Sequence, residues 1–224
     1  ASRTPYVLFE VVHKAFFTKK GVEGMVTLKE DTRKSIAELT LMDDIFMNKV
    51  FDNDIGRTAL LLRIILKNDK IKVIKATTQQ KLKNLLGHDL QLDILAQNEN
   101  GTLFNVEIQN QSSGAAARRA RYHLSLLDSL SLSKGKTYKQ LPDNYVVFIT
   151  QNDVLKGGLP LYHINRKIEE NDKAFADGSH IIYVNNKIKD ETPLGRRMHD
   201  FTCKNPDDMY YPELAEKARY FKET

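Results

Sequence analysis

The chain has 224 residues, of which 41% are hydrophobic and 28% are charged, a balance typical of one globular domain with additions. Its single cysteine, Cys203, excludes an internal disulfide and a cysteine-based zinc cluster, and fits a cytoplasmic location. The net charge of +5 permits a nucleic-acid partner without requiring one, and no apolar run approaches the length of a membrane span.

The first readable element is a helix that contains two adjacent acids. Residues 1–35 carry no clear pattern, and we treat them as an N-terminal extension of unclear role. From Asp31 to Phe51, apolar residues recur at three- and four-residue steps, which predicts one helix with Asp43 and Asp44 inside it. Acids on a helix usually face solvent or cap its start, and this is the alternative to a functional role for the pair.

A second helix and an edge strand are predicted next. Asn53-Asp54 indicates the cap of a helix from Gly56 to Leu66, which is apolar almost throughout. Residues 70–76 (KIKVIKA) alternate basic and apolar side chains, a pattern typical of an edge strand. Residues 77–90 are predicted to be a polar connector.

The stretch from Gln91 to Gln111, QLDILAQNENGTLFNVEIQNQ, predicts a β-hairpin that carries two acids. The Asn-Glu-Asn-Gly segment is a strong turn signal between its strands. Asp93 lies on the first strand and Glu107 on the second. Strict alternation predicts that three apolar side chains share the other face of the first strand: Leu92, Ile94 and Ala96.

The length of the hairpin loop decides whether the two acids can meet. A two-residue turn would place Asp93 opposite Ile108, with Glu107 pointing away. A three-residue loop, Glu99-Asn100-Gly101, places Asp93 opposite Glu107 with Cβ atoms ~4.5–5.5 Å apart. We predict the three-residue loop because its last position needs a left-handed residue, which glycine adopts readily. Two carboxylates this close favour a divalent cation between them; alternatively, both acids simply face solvent on a half-exposed sheet.

The clearest helix is predicted at residues 115–130, with Ser112-Ser113 as candidates for its cap. Cations at a helix start oppose the helix dipole, so an arginine cluster there favours contact with phosphate over a purely solvated face. That cluster consists of Arg118, Arg119 and Arg121.

The remaining elements complete an α/β pattern. Residues 145–150 (YVVFIT) predict a strand buried on both faces. Short strands are predicted at 161–164 and 180–184, and a C-terminal helical pair at 194–201 and 211–221. The core order is therefore helix, strand, strand, strand, helix, strand, which predicts a mixed sheet flanked by helices.

Four blocks of the sequence resemble the PD-(D/E)XK nuclease superfamily, and within it the recombination-promoting nuclease and transposase-like family. They are residues 39–51, 92–109, 119–149 and 192–223, in the family's order. The central signature is Asp93 followed across the hairpin by Glu107-Ile108-Gln109, the E-x-Q form of the motif. The resemblance implies a restriction-endonuclease-like αβββαβ core over residues 36–190, with a C-terminal helical segment, 191–224, packed on the same domain.

The resemblance also implies which residues form the site. Asp93, Glu107 and Gln109 are expected to be catalytic, and the implied metal ligands are Asp44, Asp93, Glu107 and the carbonyl of Ile108. Asp44 matches an acid of the family's first helix, with Asp43 as the second choice. The residues expected to orient the ligands or bind phosphate are Gln111, Arg118, Arg121 and Tyr122.

Gln109 departs from the superfamily's usual lysine, since a glutamine can hydrogen-bond a water but supplies no charge. The positive charge is therefore expected from another residue, and the candidates are Arg118, Arg121 and Lys136.

The implied function is a Mg²⁺-dependent DNA endonuclease that hydrolyses phosphodiester bonds in recombination or transposition, with Mn²⁺ as the alternative metal. We expect weak sequence specificity, because no helix-turn-helix or zinc-finger pattern is present. A homodimer is a further hypothesis, and no membrane partner is expected. The alternatives are a catalytically inactive DNA-binding or assembly module with the same fold, and a nuclease for RNA or branched DNA.

Overall fold

A six-stranded mixed sheet forms the centre of this computed structural model, which describes residues 30–83 and 88–223. The strands are β1 (Val73–Leu82), β2 (Leu90–Asn98), β3 (Leu103–Gln109), β4 (Asn144–Thr150), β5 (Leu161–Ile164) and β6 (Ser179–Asn185). The helices are α1 (Glu30–Ala37), α2 (Asp44–Phe51), α3 (Ile55–Leu66), α4 (Ala117–Ser131), α5 (Pro193–Thr202) and α6 (Pro212–Glu223). Most of the extension assigned to residues 1–35 lies outside the described residues.

The strands follow the order β1-β2-β3-β4-β6-β5 across the sheet. Strands β1, β2 and β3 form an antiparallel meander, β3, β4 and β6 run parallel, and β5 returns antiparallel at the far edge. The mixed sheet and the predicted order of helix, three strands, helix and strand are confirmed. None of the helices within the described ranges is long and apolar enough to cross a membrane.

Two hydrophobic cores cover the two faces of the sheet. Helix α4 packs over one face, and α1, α2, α3, α5 and α6 pack over the other. Strand β4 contributes to both, because Val146 and Phe148 lie in the first core while Val147 and Ile149 lie in the second. The prediction that this strand is buried on both faces is therefore confirmed.

The single helix predicted from Asp31 to Phe51 is wrong, because the chain turns between Ala37 and Asp44. The Asp43 carboxylate accepts hydrogen bonds from the backbone nitrogen and the hydroxyl of Thr40, at 2.8 and 3.0 Å. This local closure competes with helical hydrogen bonding. Asp44 thus becomes the first residue of α2 rather than an interior one.

Strand β1 is longer than predicted. Residues 77–82, assigned to a polar connector, pair with β2 from Thr77 opposite Leu95 to Leu82 opposite Leu90. Cross-strand pairing has overridden the low apolar content of this segment. The predicted edge position of the strand is confirmed.

The cap predicted for α3 is confirmed, and the cap predicted for α4 is wrong. Asp54 accepts a hydrogen bond from the Arg57 backbone nitrogen at 2.8 Å. In contrast, Ser112–Ala115 forms a short 3₁₀ turn, and α4 begins after Ala116, whose side chain makes no cap. The helix therefore starts two residues later than predicted.

The predicted C-terminal helical pair is confirmed, and it packs on the helices that precede the sheet. The rings of Phe46 on α2 and Phe221 on α6 stack with their centroids 5.0 Å apart. Phe51 and Phe201 make a second aromatic contact at 6.2 Å. These contacts extend the core beneath α2, the helix that carries Asp44.

The loop between β2 and β3 has the predicted three residues. The backbone nitrogen of Asn98 donates to the carbonyl of Thr102 at 3.1 Å, and pairing continues from Gln97 opposite Leu103 to Ile94 opposite Val106. The Asn98 side chain accepts from the backbone nitrogens of Asn100 and Thr102. Gly101 has φ +84°, the left-handed conformation that this loop needs.

One departure from strict alternation occurs in β2. Ile94 and Ala96 lie in the core below α2 and α3, whereas Leu92 lies in the core below α4. The prediction that these three side chains share one face is therefore wrong for Leu92. The regular alternation of side chains between the two faces of the sheet is therefore interrupted at Asp93.

We expect Gly101→Ala to lower the free energy of unfolding by about 1 kcal/mol, since a Cβ disfavours the left-handed conformation. A Cβ at this position would meet nothing within 4 Å, so the cost is conformational rather than steric. Urea denaturation measures the change. The control is Gly101→Asn, because asparagine tolerates the left-handed region and should lose less stability. Equal losses in the two variants would contradict the conformational explanation.

Candidate active site

Asp93 and Glu107 meet at the end of the hairpin remote from its turn. The backbone nitrogen of Asp93 donates to Glu107 Oε1 at 3.3 Å, and the backbone nitrogen of Ile108 donates to Asp93 Oδ2 at 2.9 Å. The register that was predicted from loop length is thus confirmed, and it places the acids across from each other. Each carboxylate therefore accepts a hydrogen bond from a backbone N–H of the strand that carries the other acid.

Glu107 is completely enclosed, with 0% of its surface exposed. Arg119 Nη2 lies 3.1 Å from Glu107 Oε2, and His123 Nδ1 lies 3.6 Å from Oε1. Burial raises the pKa of Glu107 to about 8, and the negative charge of Asp93 adds to this rise. The guanidinium of Arg119 opposes the shift without cancelling it.

Asp93 is partly buried, and its pKa is also raised, to about 6, chiefly because of burial. The hydrogen bond from Ile108 lowers this pKa, whereas the negative charge of Asp44 raises it. The two acids of the hairpin therefore titrate as an interacting pair at unusually high pH. A pair of carboxyl groups that resists ionisation in this way would be stabilised by a neighbouring cation.

Asp44 lies at the rim of this site, in the first turn of α2. Its side chain is exposed, but the surrounding protein and the charge of Asp43 raise its pKa. Asp43, the second choice, is engaged with Thr40 instead. The structure therefore brings Asp44 near enough for its charge to act on Asp93, while Asp43 serves the turn before α2.

The oxygen atoms at the hairpin suit a hard divalent cation. No group of three or more His, Cys, Asp or Glu side chains within residues 30–83 and 88–223 has the arrangement of a metal site. Mg²⁺ is commonly held by one or two carboxylates, with water and substrate phosphate as the other ligands, so Asp93 and Glu107 fit this mode. A strand residue directs its N–H and C=O to the same edge, so the Ile108 carbonyl lies on the side of Asp93.

Gln109 lies beside the start of the segment that leads into α4. A Cβ atom on Gly114 would come within 1.9 Å of Gln109 Oε1 and 3.6 Å of Arg119 Nη1. The absence of a side chain at Gly114 therefore leaves room for the Gln109 amide next to the Arg119 guanidinium. A neutral amide from β3 and a cation from α4 thus lie near each other at Gly114.

The other residues predicted for the site lie farther out. Gln111 is exposed at the start of the 3₁₀ turn, and Arg118 and Arg121 are exposed on α4. The Tyr122 hydroxyl donates to the backbone carbonyl of His88 at 2.8 Å. Lys136 lies at the opposite end of the hairpin, in a groove that it shares with Gly101 and Leu103 near the turn. Their predicted phosphate contacts remain predictions.

The sequence analysis missed the role of Arg119 and the position of His123. Arg119 Nε donates to His123 Nε2 at 3.1 Å, and the Asn105 amide lies 2.8 Å from His123 Nδ1. His123 is 0% exposed, and burial, with the charge of Arg119, lowers its pKa to about 4, so it accepts this bond as a neutral ring. The available signal was the four-residue spacing, which places both side chains on one side of α4.

One family model matches residues 30–194, and its description is PD-(D/E)XK nuclease family transposase. The matched range includes all six strands, helices α1 to α4 and both acids of the hairpin. No curated protein and no solved structure matches the chain.

We expect the metal-free protein to lose stability as the pH rises from about 4.5 to about 8. The unfolded chain releases the Glu107 proton near pH 4.5, while the folded protein retains it to about pH 8; for Asp93 the window runs from 3.8 to about 6. The contribution of each protonated acid to the free energy of unfolding is therefore fully present below its unfolded pKa, 4.5 for Glu107 and 3.8 for Asp93. It is lost as the pH rises through the folded pKa, about 8 for Glu107 and about 6 for Asp93. Thermal denaturation across this range, with metal removed by a chelator, measures the effect.

Glu107→Gln should flatten this dependence on pH, because the amide does not titrate. The control is Glu99→Gln, which changes an exposed acid in the turn of the same hairpin. A slope that is identical in wild type and Glu107→Gln would show that the pKa of Glu107 is not raised.

Proposed function

The chain belongs to the PD-(D/E)XK nuclease family of transposases, and we propose that it is a metal-dependent endonuclease that hydrolyses phosphodiester bonds in DNA. The observation that supports this proposal best is the pair of adjacent carboxyl groups, enclosed Glu107 and partly buried Asp93. A buried acid pair with raised pKa values is costly for a fold, and such pairs are typical of functional sites.

Asp93, Glu107 and the Ile108 carbonyl would hold the metal, which we propose to be Mg²⁺, with Mn²⁺ as the alternative. Asp44 at the rim would complete the set. When bound, the ion lowers the pKa of a coordinated water and stabilises charge on the leaving oxygen. The role of the hairpin is to keep two oxygen donors at a fixed spacing where little solvent competes for them.

Arg119 would supply the positive charge that Gln109 lacks. Its guanidinium has one nitrogen on Glu107 and another on His123, and its side chain is 38% exposed. It is therefore anchored at one side and accessible at the other, which suits contact with a phosphate oxygen. The neighbouring Gln109 amide can hydrogen-bond the attacking water.

DNA is the substrate that the family implies. We propose that Arg118 and Arg121, exposed on α4 beside the site, contact its phosphates, and that the product carries a 5′ phosphate. Contacts of this kind carry no sequence information, so weak sequence specificity follows. Cleavage of both strands by a homodimer is part of the same proposal.

Cleavage of supercoiled plasmid with Mg²⁺, with and without EDTA, tests the proposed function. We expect metal-dependent nicking by the wild type and its loss in Asp93→Ala and Glu107→Ala, with Glu99→Ala as the exposed-acid control in the same hairpin. An inert wild type that still shifts DNA would favour the binding module. Activity that survives both substitutions would exclude this site, and preferential cleavage of RNA or branched DNA would redefine the substrate.

We expect Arg119→Ala to lower the nicking rate at saturating DNA by roughly 10²-fold, because it removes a preorganised charge beside the reacting phosphate. Arg119→Lys should restore part of the rate, since it keeps the charge but not the planar fork. Arg118→Ala should instead weaken DNA binding at low salt and leave the saturated rate near that of the wild type. Equal saturated rates in wild type and Arg119→Ala would refute the role of Arg119.

A further inference from the structure

Gln79 has a backbone conformation that its position in the sheet does not explain. Its φ of +52° is left-handed, and within the described ranges it is the one non-glycine residue of a strand with that conformation. A side chain with a Cβ is strained there, and such strain persists only where surrounding contacts impose it. Isolated strain of this kind within a regular element is common next to functional sites.

Gln79 lies across the sheet from Asp93. On either side of it, Thr78 pairs with Ile94 and Gln80 pairs with Leu92, so the register continues past an irregular residue. The change of side-chain alternation in β2, between Ile94 in one core and Leu92 in the other, occurs at the same level. Both strands therefore depart from regular geometry at the point where Asp93 faces Gln79.

One end of the Gln79 side-chain amide is enclosed and has no hydrogen-bond partner. Its oxygen accepts a hydrogen bond from the Gln91 amide, which leaves the nitrogen as the free end. That nitrogen is the donor left over on the residue that the strand register places level with Asp93. The Gln79 side chain also contributes to lowering the pKa of Asp93, as a donor to a carboxylate does. An enclosed donor beside an acceptor is a favourable pairing that would be costly to remove.

The residue before Gln79 is tied to the other side of the site. Thr78 donates from its backbone nitrogen and from its hydroxyl to Asp52 Oδ1, at 3.2 and 3.1 Å. Asp52 caps the C-terminal end of α2, the helix that begins at Asp44. The chain at Gln79 is thus held by Asp52 before it and by the pairing of Gln80 with Leu92 after it, and these contacts can maintain the strained backbone.

We propose that Gln79 is a positioning residue of the active site, whose amide holds the Asp93 carboxylate on the Ile108 N–H and beside Glu107. In this proposal, the left-handed backbone of Gln79 directs its amide from the edge strand toward Asp93. Without this contact, the Asp93 carboxylate would keep fewer hydrogen-bond donors and would be freer to rotate away from the Ile108 N–H. The catalytic consequence rests on the proposed nuclease function, whereas the positioning itself can be measured without metal or DNA.

Amide hydrogen exchange of the metal-free protein tests the proposal at Ile108, whose N–H is bonded to Asp93 Oδ2. In Gln79→Gly we expect exchange at Ile108 to become about tenfold faster or more, with exchange at Val106 unchanged, since one hydrogen bond is loosened. The melting temperature should stay near that of the wild type, because glycine adopts φ +52° without strain.

Two variants separate positioning from a general effect on the strand. Gln79→Asn keeps an amide and tolerates the left-handed backbone, but it is one methylene too short, so it should behave like Gln79→Gly at Ile108. Gln80→Gly weakens the neighbouring strand position; it should lower the melting temperature and leave the ratio of exchange at Ile108 and Val106 unchanged.

Unchanged exchange at Ile108 in Gln79→Gly, or an equal increase at Ile108 and Val106, would overturn the proposal. In the plasmid assay, Gln79→Gly should nick at least about tenfold more slowly than the wild type, consistent with a misplaced ligand. A wild type that does not cut would refute the proposed nuclease function, while the exchange at Ile108 would still decide the role of Gln79.

Discussion

The close placement of two poorly solvated carboxyl groups, enclosed Glu107 and partly buried Asp93, is the constraint on which the rest of this structure depends. Asp93 and Glu107 lie on adjacent strands at a level where water does not reach Glu107, so neither charge is well solvated. Three separate parts of the fold offset this cost: the backbone N–H groups of the hairpin, Arg119 on α4, and Gln79 on β1. Each keeps the two acids close together, which is the arrangement that the proposed metal site requires.

The two-faced sheet is what makes this arrangement possible. Because β3 and β4 are covered on both faces, one strand can present Glu107 toward α4 while its neighbours Val106 and Ile108 pack toward α2 and α3. Helix α4 thus supplies the cation from one face, and α2 supplies the charge of Asp44 from the other. A half-exposed sheet could display the same acids, but solvent would then screen the charges that set their pKa values.

The hairpin register could be predicted from the sequence because a loop of fixed length with Gly101 at its end allows few alternatives. Which of the α4 arginines contacts Glu107 could not be predicted in the same way. It depends on where the helix starts, and the 3₁₀ turn at Ser112–Ala115 moves that start by two residues, about 200° around the axis. The break at Thr40 and the strained conformation of Gln79 also arise from contacts that periodicity does not report.

The replacement of lysine by Gln109 changes how charge is delivered to the site. A lysine on β3 would be held next to Glu107 by the strand itself, whereas Arg119 arrives from a helix and is oriented by the neutral ring of His123. Burial keeps His123 unprotonated, so it accepts from the guanidinium and adds no competing charge. The same guanidinium that contacts Glu107 is partly exposed, and in the proposed reaction its exposed side would meet the phosphate. In the proposed reaction, a bound cation would hold Glu107 ionised and share its charge, which would leave the exposed side of Arg119 available to the phosphate.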